Sequence, residues 1–154
     1  MYTGEEKRRA ARIQFRLSDN LEVAYKFLSH LEDFQCDGIF KGPMLNLSKG
    51  GALFVGALPG TEWLPQLGQG LVLIGLNIMV PEQQPIKALC SLRWTRPSTG
   101  NLGYRYGNGP FYELGVQFEQ ISPAHRSTLE KFLIGFQLRT RKFRSLDELE
   151  KGYQ

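Results

Sequence analysis

The sequence contains neither an apolar run long enough to cross a membrane nor a secretory signal. Its longest apolar run, residues 71–80, is interrupted by a glycine and an asparagine and falls well short of the about 20 residues that span a bilayer. Residues 5–9 are all charged, and no apolar stretch follows them, unlike in a signal peptide. We therefore expect the protein to be cytoplasmic.

Cysteine and histidine are scarce in this chain. The two cysteines, Cys36 and Cys90, lie far apart without a C-x-x-C pattern, and neither histidine has a second ligand at metal-binding spacing. No nucleophile or carboxylate accompanies His30 or His125 at a spacing that suggests catalysis. We expect two core or near-surface thiols, no bound metal or cofactor, and no enzymatic activity.

Glycine and proline are plentiful, with 17 and 8 residues, which favours turns between short strands over long helices. Alternating apolar and polar residues predict the strands. Residues 56–70 are predicted to be a loop, and residues 97–110 a long loop or an extended hairpin. The predicted strands are residues 13–17, 21–28, 39–40, 44–47, 52–55, 71–80, 86–95 and 111–118.

Three details of this pattern make specific predictions. Asp19 and Asn20 supply a turn, so the first two strands are expected to pair with each other. Gly42 and Pro43 are expected to interrupt the extended segment that contains them. In residues 86–95 the alternation places five side chains on a single face: Ile86, Ala88, Cys90, Leu92 and Trp94.

The pattern changes to helical at Ser122 and Pro123, since serine is a favoured N-cap and proline a favoured first helical residue. Residues 145–148 have capping-box spacing and predict a short last helix. Between them one apolar stripe is expected to pack against the sheet, formed by Leu129, Phe132, Leu133 and Phe136.

These elements predict a mainly β fold, a closed or nearly closed antiparallel barrel of about six strands with a helix packed against it. A chain of 154 residues has room for one sizeable core and requires no second domain. We expect a single domain with a flexible basic arm at residues 1–12, the barrel at 13–119, the helix at 122–144 and a short tail at 145–154.

Positive charge is concentrated near the two ends of the chain, within a net charge of +4. Each cluster suits an anion, and each is also consistent with a solvated charged face. The first cluster comprises Lys7, Arg8, Arg9, Arg12 and Arg16, and the second Arg139, Arg141, Lys142 and Arg144.

Two short motifs are candidates for ligand binding. Arg8 and Arg12 fit the pattern R-x-x-x-R, and residues 46–51 fit [D/N]-x-S-x-x-G. Neither motif is specific by itself. Their order is informative, because the arginines lie just before the first predicted strand and the serine-glycine turn follows a later one.

With this order of motifs the sequence resembles the PilZ family over residues 7–136. Looser agreement comes from residues 92–94 and 112–118 and from the closing helix. The sequence departs from the family at Asn46, where aspartate is common, and at the insertion of residues 97–110, which is longer than expected.

The resemblance implies a six-stranded antiparallel PilZ-type barrel with a C-terminal helix, and a bacterial receptor for the second messenger cyclic di-GMP. One or two ligand molecules per site both fit the family. The ligand-binding residues that it implies are Lys7, Arg8, Arg9, Arg12, Asn46, Ser48, Gly50, Gly51 and Trp94.

The chemistry of these residues suits the ligand, which presents two guanines and two phosphates. An arginine can bond O6 and N7 of a guanine together or grip a phosphate. Asn46 can accept from a guanine N–H, and Ser48 can bond a phosphate or a base edge. Gly51 is expected to let the ligand approach the backbone closely, and the mobile arm is expected to close over the ligand.

A receptor without a catalytic, membrane or output segment acts through contact with another protein, so we expect a stand-alone receptor or adaptor. By the resemblance, its partner belongs to motility, exopolysaccharide, pilus or virulence machinery. The arm and residues 139–144 are candidate switch surfaces.

Two alternatives remain open at this point. One is a PilZ-like adaptor that works by protein contact without nucleotide. The other is a small basic barrel that binds single-stranded nucleic acid by stacking bases on exposed aromatic residues, for which the candidates are Tyr104, Tyr106, Phe111 and Tyr112.

Overall fold

The computed structural model describes residues 12–16, 19–99, 102 and 106–152, with side chains described up to residue 139. Its strands are β1 (Ile13–Gln14), β2 (Glu22–Ser29), β3 (Phe40–Leu47), β4 (Gly51–Gly56), β5 (Val72–Met79), β6 (Ile86–Pro97) and β7 (Tyr112–Gln120). A 3-10 turn (Thr61–Trp63), a short helix α1 (Leu64–Gly68) and a long helix α2 (Pro123–Gly152) complete the described elements.

Six of the strands close into an antiparallel barrel, as predicted. The order around it is β3-β2-β5-β6-β7-β4, and β4 pairs back with β3. Each of these six strands therefore has a neighbour on both sides, which protects the sheet from pairing with other chains.

Apolar side chains fill the barrel. On β5 every second residue is buried, as expected for a strand with one face inside, and Ile74 and Leu76 are at most 1% exposed. Tyr25 on β2 is also buried, which raises the pKa of its phenol, and its hydroxyl donates a hydrogen bond to the carbonyl oxygen of Ala57 at 2.6 Å. The interior is thus a packed core.

The first two strands do not pair with each other, contrary to the prediction. Both pair with β3, β1 near one end of it and β2 near the other. The Phe15 N–H donates to the Leu45 carbonyl oxygen at 2.8 Å, and the Met44 N–H donates to the Leu21 carbonyl oxygen at 2.9 Å. Because β1 and β2 are both antiparallel to β3, they run in the same direction. The chain therefore does not reverse at Asp19 and Asn20, and the predicted hairpin turn is absent there.

Strand β3 runs without interruption through Gly42 and Pro43, where the sequence predicted a break. A Cβ at Gly42 would overlap the carbonyl oxygen of Val55 on β4, so this glycine allows the two strands to approach closely. Because the Met44 N–H donates to Leu21 on the β2 side, position 43 directs its nitrogen to the β4 side. The register of β3 with β4 begins at Met44, so a missing N–H at Pro43 is tolerated.

The predicted loop of residues 56–70 contains the 3-10 turn and α1, which the sequence prediction missed. Trp63 and Leu67 anchor it, and both are buried. The Trp63 ring packs 5.7 Å from the ring of Phe27 and 5.3 Å from that of Phe34, measured between centroids. Two buried apolar anchors explain why this proline-containing segment folds onto the barrel.

Helix α2 begins as predicted and packs through the predicted stripe. The His125 N–H donates to Ser122 Oγ at 3.2 Å, which is an N-cap hydrogen bond. Leu129 and Leu133 are buried. The ring of Phe136 lies 4.8 Å from that of Phe15, so the helix also covers the segment after β1.

Helix α2 continues without a break to Gly152, whereas the sequence predicted that it ends at 144 and that a new helix starts at 145. Leucine, glutamate and lysine are favourable inside a helix. Five such residues among 146–151 allow Ser145 to be accommodated within the helix.

Candidate functional site

A groove of about 700 Å³ lies on the outer face of the barrel across β6, β7, β4 and β3. The predicted residues Lys7, Arg8 and Arg9 lie outside the described part of the chain. The structure brings the other six predicted residues together in this groove: Arg12, Asn46, Ser48, Gly50, Gly51 and Trp94.

A β-bulge turns Asn46 towards the groove. The register between β3 and β4 shifts between Met44 and Asn46, which leaves Leu45 as the extra residue. Met44 and Leu47 are both buried in the core, although a regular strand would place them on opposite faces. The bulge therefore allows both Met44 and Leu47 to enter the core, while the amide of Asn46 between them stays half-buried at the groove.

The Ser48 hydroxyl sits inside the tight turn between β3 and β4. The Ser48 N–H donates to the Gly51 carbonyl oxygen at 2.9 Å, which closes the turn. The hydroxyl accepts from the Gly50 N–H at 3.3 Å and donates to the Gly51 carbonyl oxygen at 3.4 Å. Both hydroxyl bonds are long, so the side chain is held only loosely.

The two glycines of this turn differ in what surrounds them. A Cβ at Gly51 would overlap the carbonyl oxygen of Val116 on β7, whereas a Cβ at Gly50 would have no atom within 4 Å. The close approach that requires Gly51 is thus between two strands of the barrel. The sequence analysis instead predicts that Gly51 lets a ligand approach the backbone closely.

Trp94 lies on the outer face of β6, and the prediction that it shares a single face with Leu92 is wrong. The register between β6 and β7 shifts between these two residues, which makes Arg93 a bulge. Since one extra residue reverses the alternation, Leu92 is buried and Trp94 is 44% exposed.

The indole of Trp94 lies against Gly115 on β7. These residues are paired in register, and a Cβ at Gly115 would overlap Nε1 of the indole. The Arg96 guanidinium carbon lies 5.6 Å from the centre of the indole ring, within cation–π range. Glu113 anchors that guanidinium by accepting from its Nε and from Nη2. The ring is therefore held by a glycine beneath it and an ion-paired arginine beside it.

The charge of the groove is positive. Arg12 and Arg93 are both exposed at its border, and no carboxylate occurs among the described residues that line it. Two guanidinium groups next to an amide, a hydroxyl and an indole can bind a planar, anionic molecule.

Sequence reasoning missed three residues that form the floor of the groove, Leu53, Gly115 and Gln117. Alternation along β4 and β7 shows that they face away from the core. Only the register makes them neighbours, because Gly51 pairs with Gln117, and Leu53 with Gly115.

Two of the candidate stacking residues are engaged outside the groove. The Tyr106 hydroxyl donates to Glu22 Oε1 at 2.8 Å, and Tyr112 is packed against the core. Phe111 is half-buried, and Tyr104 lies outside the described residues. None of the three described residues lines the groove beside Trp94.

Within the described ranges, no three His, Cys, Asp or Glu side chains are grouped so that they could hold a metal ion. Among the same described residues, no helix is both long and apolar enough to cross a membrane.

A family model described as PilZ domain matches residues 6–135. No curated protein matches the sequence significantly.

Several solved structures resemble the fold. The PilZ domain of YcgR from Escherichia coli, solved with c-di-GMP, is 14% identical, with a TM-score of 0.57, and the match covers 90% of this chain and 98% of that one. The MrkH–c-di-GMP complex from K. pneumonia is 17% identical, with a TM-score of 0.60, covering 87% and 53%.

The inhibitor of motility MotI/DgrA from Bacillus subtilis is 18% identical, with a TM-score of 0.56, covering 90% and 57%. The present chain thus spans about half the length of MrkH and MotI/DgrA, but nearly all of the YcgR domain. At these identities the likeness is one of fold.

Proposed function

The chain belongs to the PilZ domain family, and from this premise we propose that it is a receptor that binds cyclic di-GMP in the barrel groove and transmits binding to a partner protein. YcgR and MrkH, with which it shares its fold, were solved with this ligand. The observation that carries the proposal is that Arg12, Asn46, Ser48 and Trp94 line one groove that has two guanidinium groups and no described carboxylate.

The groove offers separate groups for the bases and the phosphates of the ligand. Arg12 and Arg93 can each form two parallel hydrogen bonds, to O6 and N7 of a guanine or to a phosphate. The exposed face of Trp94 can stack on a base, an interaction worth about 1–3 kcal/mol. Asn46 contributes a neutral acceptor to a guanine N–H, which is weaker than the carboxylate common at this position.

Lys7, Arg8 and Arg9 are proposed to add cationic donors from the segment before Arg12. A chain extends by at most about 3.6 Å per residue, so Arg8 can act up to about 14 Å from Arg12. That span is comparable to the size of the ligand, which allows the segment to close over a molecule held in the groove.

Binding alone transmits no signal, so the receptor must alter its contact with an effector protein. MotI/DgrA, similar in fold, is an inhibitor of motility. Adaptor function of this kind fits a groove on the outer face of a barrel whose interior is filled by side chains.

Calorimetric titration of the full chain with cyclic di-GMP tests the proposal. We expect saturable binding at micromolar or lower Kd and a stoichiometry of one ligand or a stacked pair per site. Cyclic di-AMP is the matched control, because adenine presents an amino donor where guanine presents O6, and each wrong base contact costs about 1–3 kcal/mol. We expect its Kd to be at least about tenfold higher.

Absence of binding at high micromolar cyclic di-GMP, by a protein with the circular dichroism of a folded barrel, contradicts the proposal and supports the adaptor that needs no nucleotide. Binding of single-stranded oligonucleotide more tightly than cyclic di-GMP contradicts it in favour of a nucleic-acid binder.

A further inference from the structure

A second and larger groove, of about 970 Å³, lies on another part of the barrel's outer face. It crosses β2, β5, β6 and the end of β7, and it reaches the first turn of α2. It shares no lining residue with the groove at Trp94. The backbone N–H of Lys87 donates to Nδ1 of His125 at 3.3 Å, which attaches the first turn of the helix to β6 as one wall.

Apolar side chains line the middle of this groove. Gly75 on β5 has no side chain there, and Leu28 from β2 lies next to it, since a Cβ at Gly75 would be 3.3 Å from Leu28 Cδ1. Leu28 is 38% exposed, and Leu89 and Ile121 are half-buried. A surface with these aliphatic groups can bury a partner's apolar side chains.

Three cations line the same groove as these apolar side chains. Lys26, Lys87 and Arg126 are all exposed, and each is on a different element. Glu119 is the one carboxylate among the described lining residues, and its Oε1 accepts a hydrogen bond from Ser91 Oγ at 2.6 Å. Three positive charges and one negative charge give the lining a formal charge of +2.

We propose that this groove is the docking surface for an acidic segment of a partner protein, one that carries two or more carboxylates beside apolar side chains. The carboxylates would meet the cations, and the apolar side chains would cover Leu28 and Leu89. Recognition proceeds through side chains, because the six barrel strands are already paired on both sides and offer no edge to an added strand.

The composition of the groove favours a protein over other anionic partners. Membrane-binding clusters typically have about 4–8 lysines and arginines, and DNA-binding surfaces often contact about 6–10 phosphates. This groove has three such residues, and no Phe, Tyr or Trp ring is among its described lining residues. The proposal does not rest on the nucleotide site, since no residue is shared.

Fluorescence anisotropy with labelled peptides tests the proposal. The probes are twelve-residue peptides of Leu, Val and Ser in which two glutamates are separated by two to six residues, each matched by a peptide with glutamine at the same positions. We expect at least one glutamate spacing to bind the full chain with a Kd of about 100 µM or lower. We expect its glutamine match to bind at least about tenfold more weakly.

Charge reversal then assigns the surface. We expect Lys26→Glu combined with Lys87→Glu to weaken peptide binding at least about tenfold. Arg139→Glu is the control, because Arg139 is exposed, does not line the groove and lies about 20 Å along α2 from Arg126, beyond the about 8 Å over which charges interact in physiological salt. Calorimetric titration of wild type and both variants with cyclic di-GMP measures binding at the other groove. If cyclic di-GMP does not bind, the proposed function fails, but the peptide measurements still test the docking surface independently.

Three outcomes overturn the proposal. One is that no glutamate peptide binds at any spacing. Another is that Arg139→Glu weakens binding as much as the double reversal. The third is that single-stranded DNA, or vesicles containing phosphatidylserine, bind through Lys26 and Lys87 more tightly than the peptides, which assigns the surface to that class of partner.

Discussion

Trp94 and Gly115 act as one unit at the scale of single residues. The indole lies against the backbone of β7 only because residue 115 has no Cβ. The proposed base stacking on Trp94 therefore depends on a glycine that contacts no ligand itself.

Gly115→Ala is expected to displace the indole and to weaken cyclic di-GMP binding about tenfold, close to the loss expected for Trp94→Ala. Adding Gly115→Ala to Trp94→Ala is expected to cause no further loss, because the ring it displaces is already absent. Calorimetric titrations of the four proteins measure this cycle. Additive losses show instead that Gly115 acts independently of Trp94. Gly68→Ala, on α1 and with no atom within 4 Å of the added methyl, is the control.

The two cysteines are expected to differ in reactivity. Cys90 is fully buried, and burial, together with repulsion from Glu119, raises the pKa of its thiol to about 12. Cys36 is partly exposed. Because the thiolate is the reactive form, a thiol reagent at pH 8 is expected to modify Cys36 in the native protein and Cys90 only after unfolding. Mass spectrometry of each cysteine-containing peptide measures this, and native labelling of Cys90 at the rate of Cys36 contradicts it.

At the scale of elements, two β-bulges build the groove. The bulge at Leu45 directs Asn46 outward between two buried residues, and the bulge at Arg93 directs Trp94 outward. The sequence identified both side chains as candidates through the motif order and the family resemblance. The orientation of Trp94 could not be predicted from alternation, because a bulge reverses the period and depends on pairing with another strand.

The pairing of β1 illustrates the same limit. The turn at Asp19 and Asn20 was predicted from residue type, because aspartate and asparagine favour turn conformations of the local backbone. Whether the chain reverses there depends on β3, a strand distant in sequence, to which both flanking segments are hydrogen-bonded. Helix α2 was more accurately predicted at its start, because its cap and apolar stripe are local signals.

The paired glycines of the β3–β4 turn give an element-scale prediction. Gly51→Ala is expected to lower the free energy of unfolding by more than about 1 kcal/mol, because its methyl meets the backbone of β7. Gly50→Ala is the matched control and is expected to leave stability unchanged or to raise it by up to about 1 kcal/mol, since its φ lies outside the left-handed region and the added methyl meets nothing.

Urea denaturation of wild type and both variants measures these differences. Equal destabilisation by the two substitutions contradicts the account, since it would mean that the contact with Val116 is not what requires a glycine.

At the scale of the whole molecule, the two grooves are joined by shared elements. Strand β7 lines the first groove up to Phe118 and the second from Glu119 onward. Helix α2 supplies a wall of the second groove and packs on Phe15, three residues after Arg12. A ligand that contacts Arg12 would therefore bind close to helix α2, and the first turn of this helix lines the other groove.

The location of the first groove could be predicted in part. Motif order placed Arg12 and Asn46 in one site, because the resemblance supplied a fold in which the start of the barrel meets the turn after β3. The floor at Leu53 and Gln117 could not be predicted, since it requires the register of β4 with β7. The second groove has no motif, because its cations come from three separate elements.

The central claim is that the groove at Trp94 binds cyclic di-GMP and that Arg12 contacts it. Calorimetric titration of wild type, Arg12→Ala and Arg16→Ala tests it most directly, because the two variants remove the same charge four residues apart and Arg16, also exposed, does not line the groove. The account predicts that Arg12→Ala raises Kd at least about tenfold and that Arg16→Ala leaves it within about twofold. Equal affinity in all three proteins would contradict it.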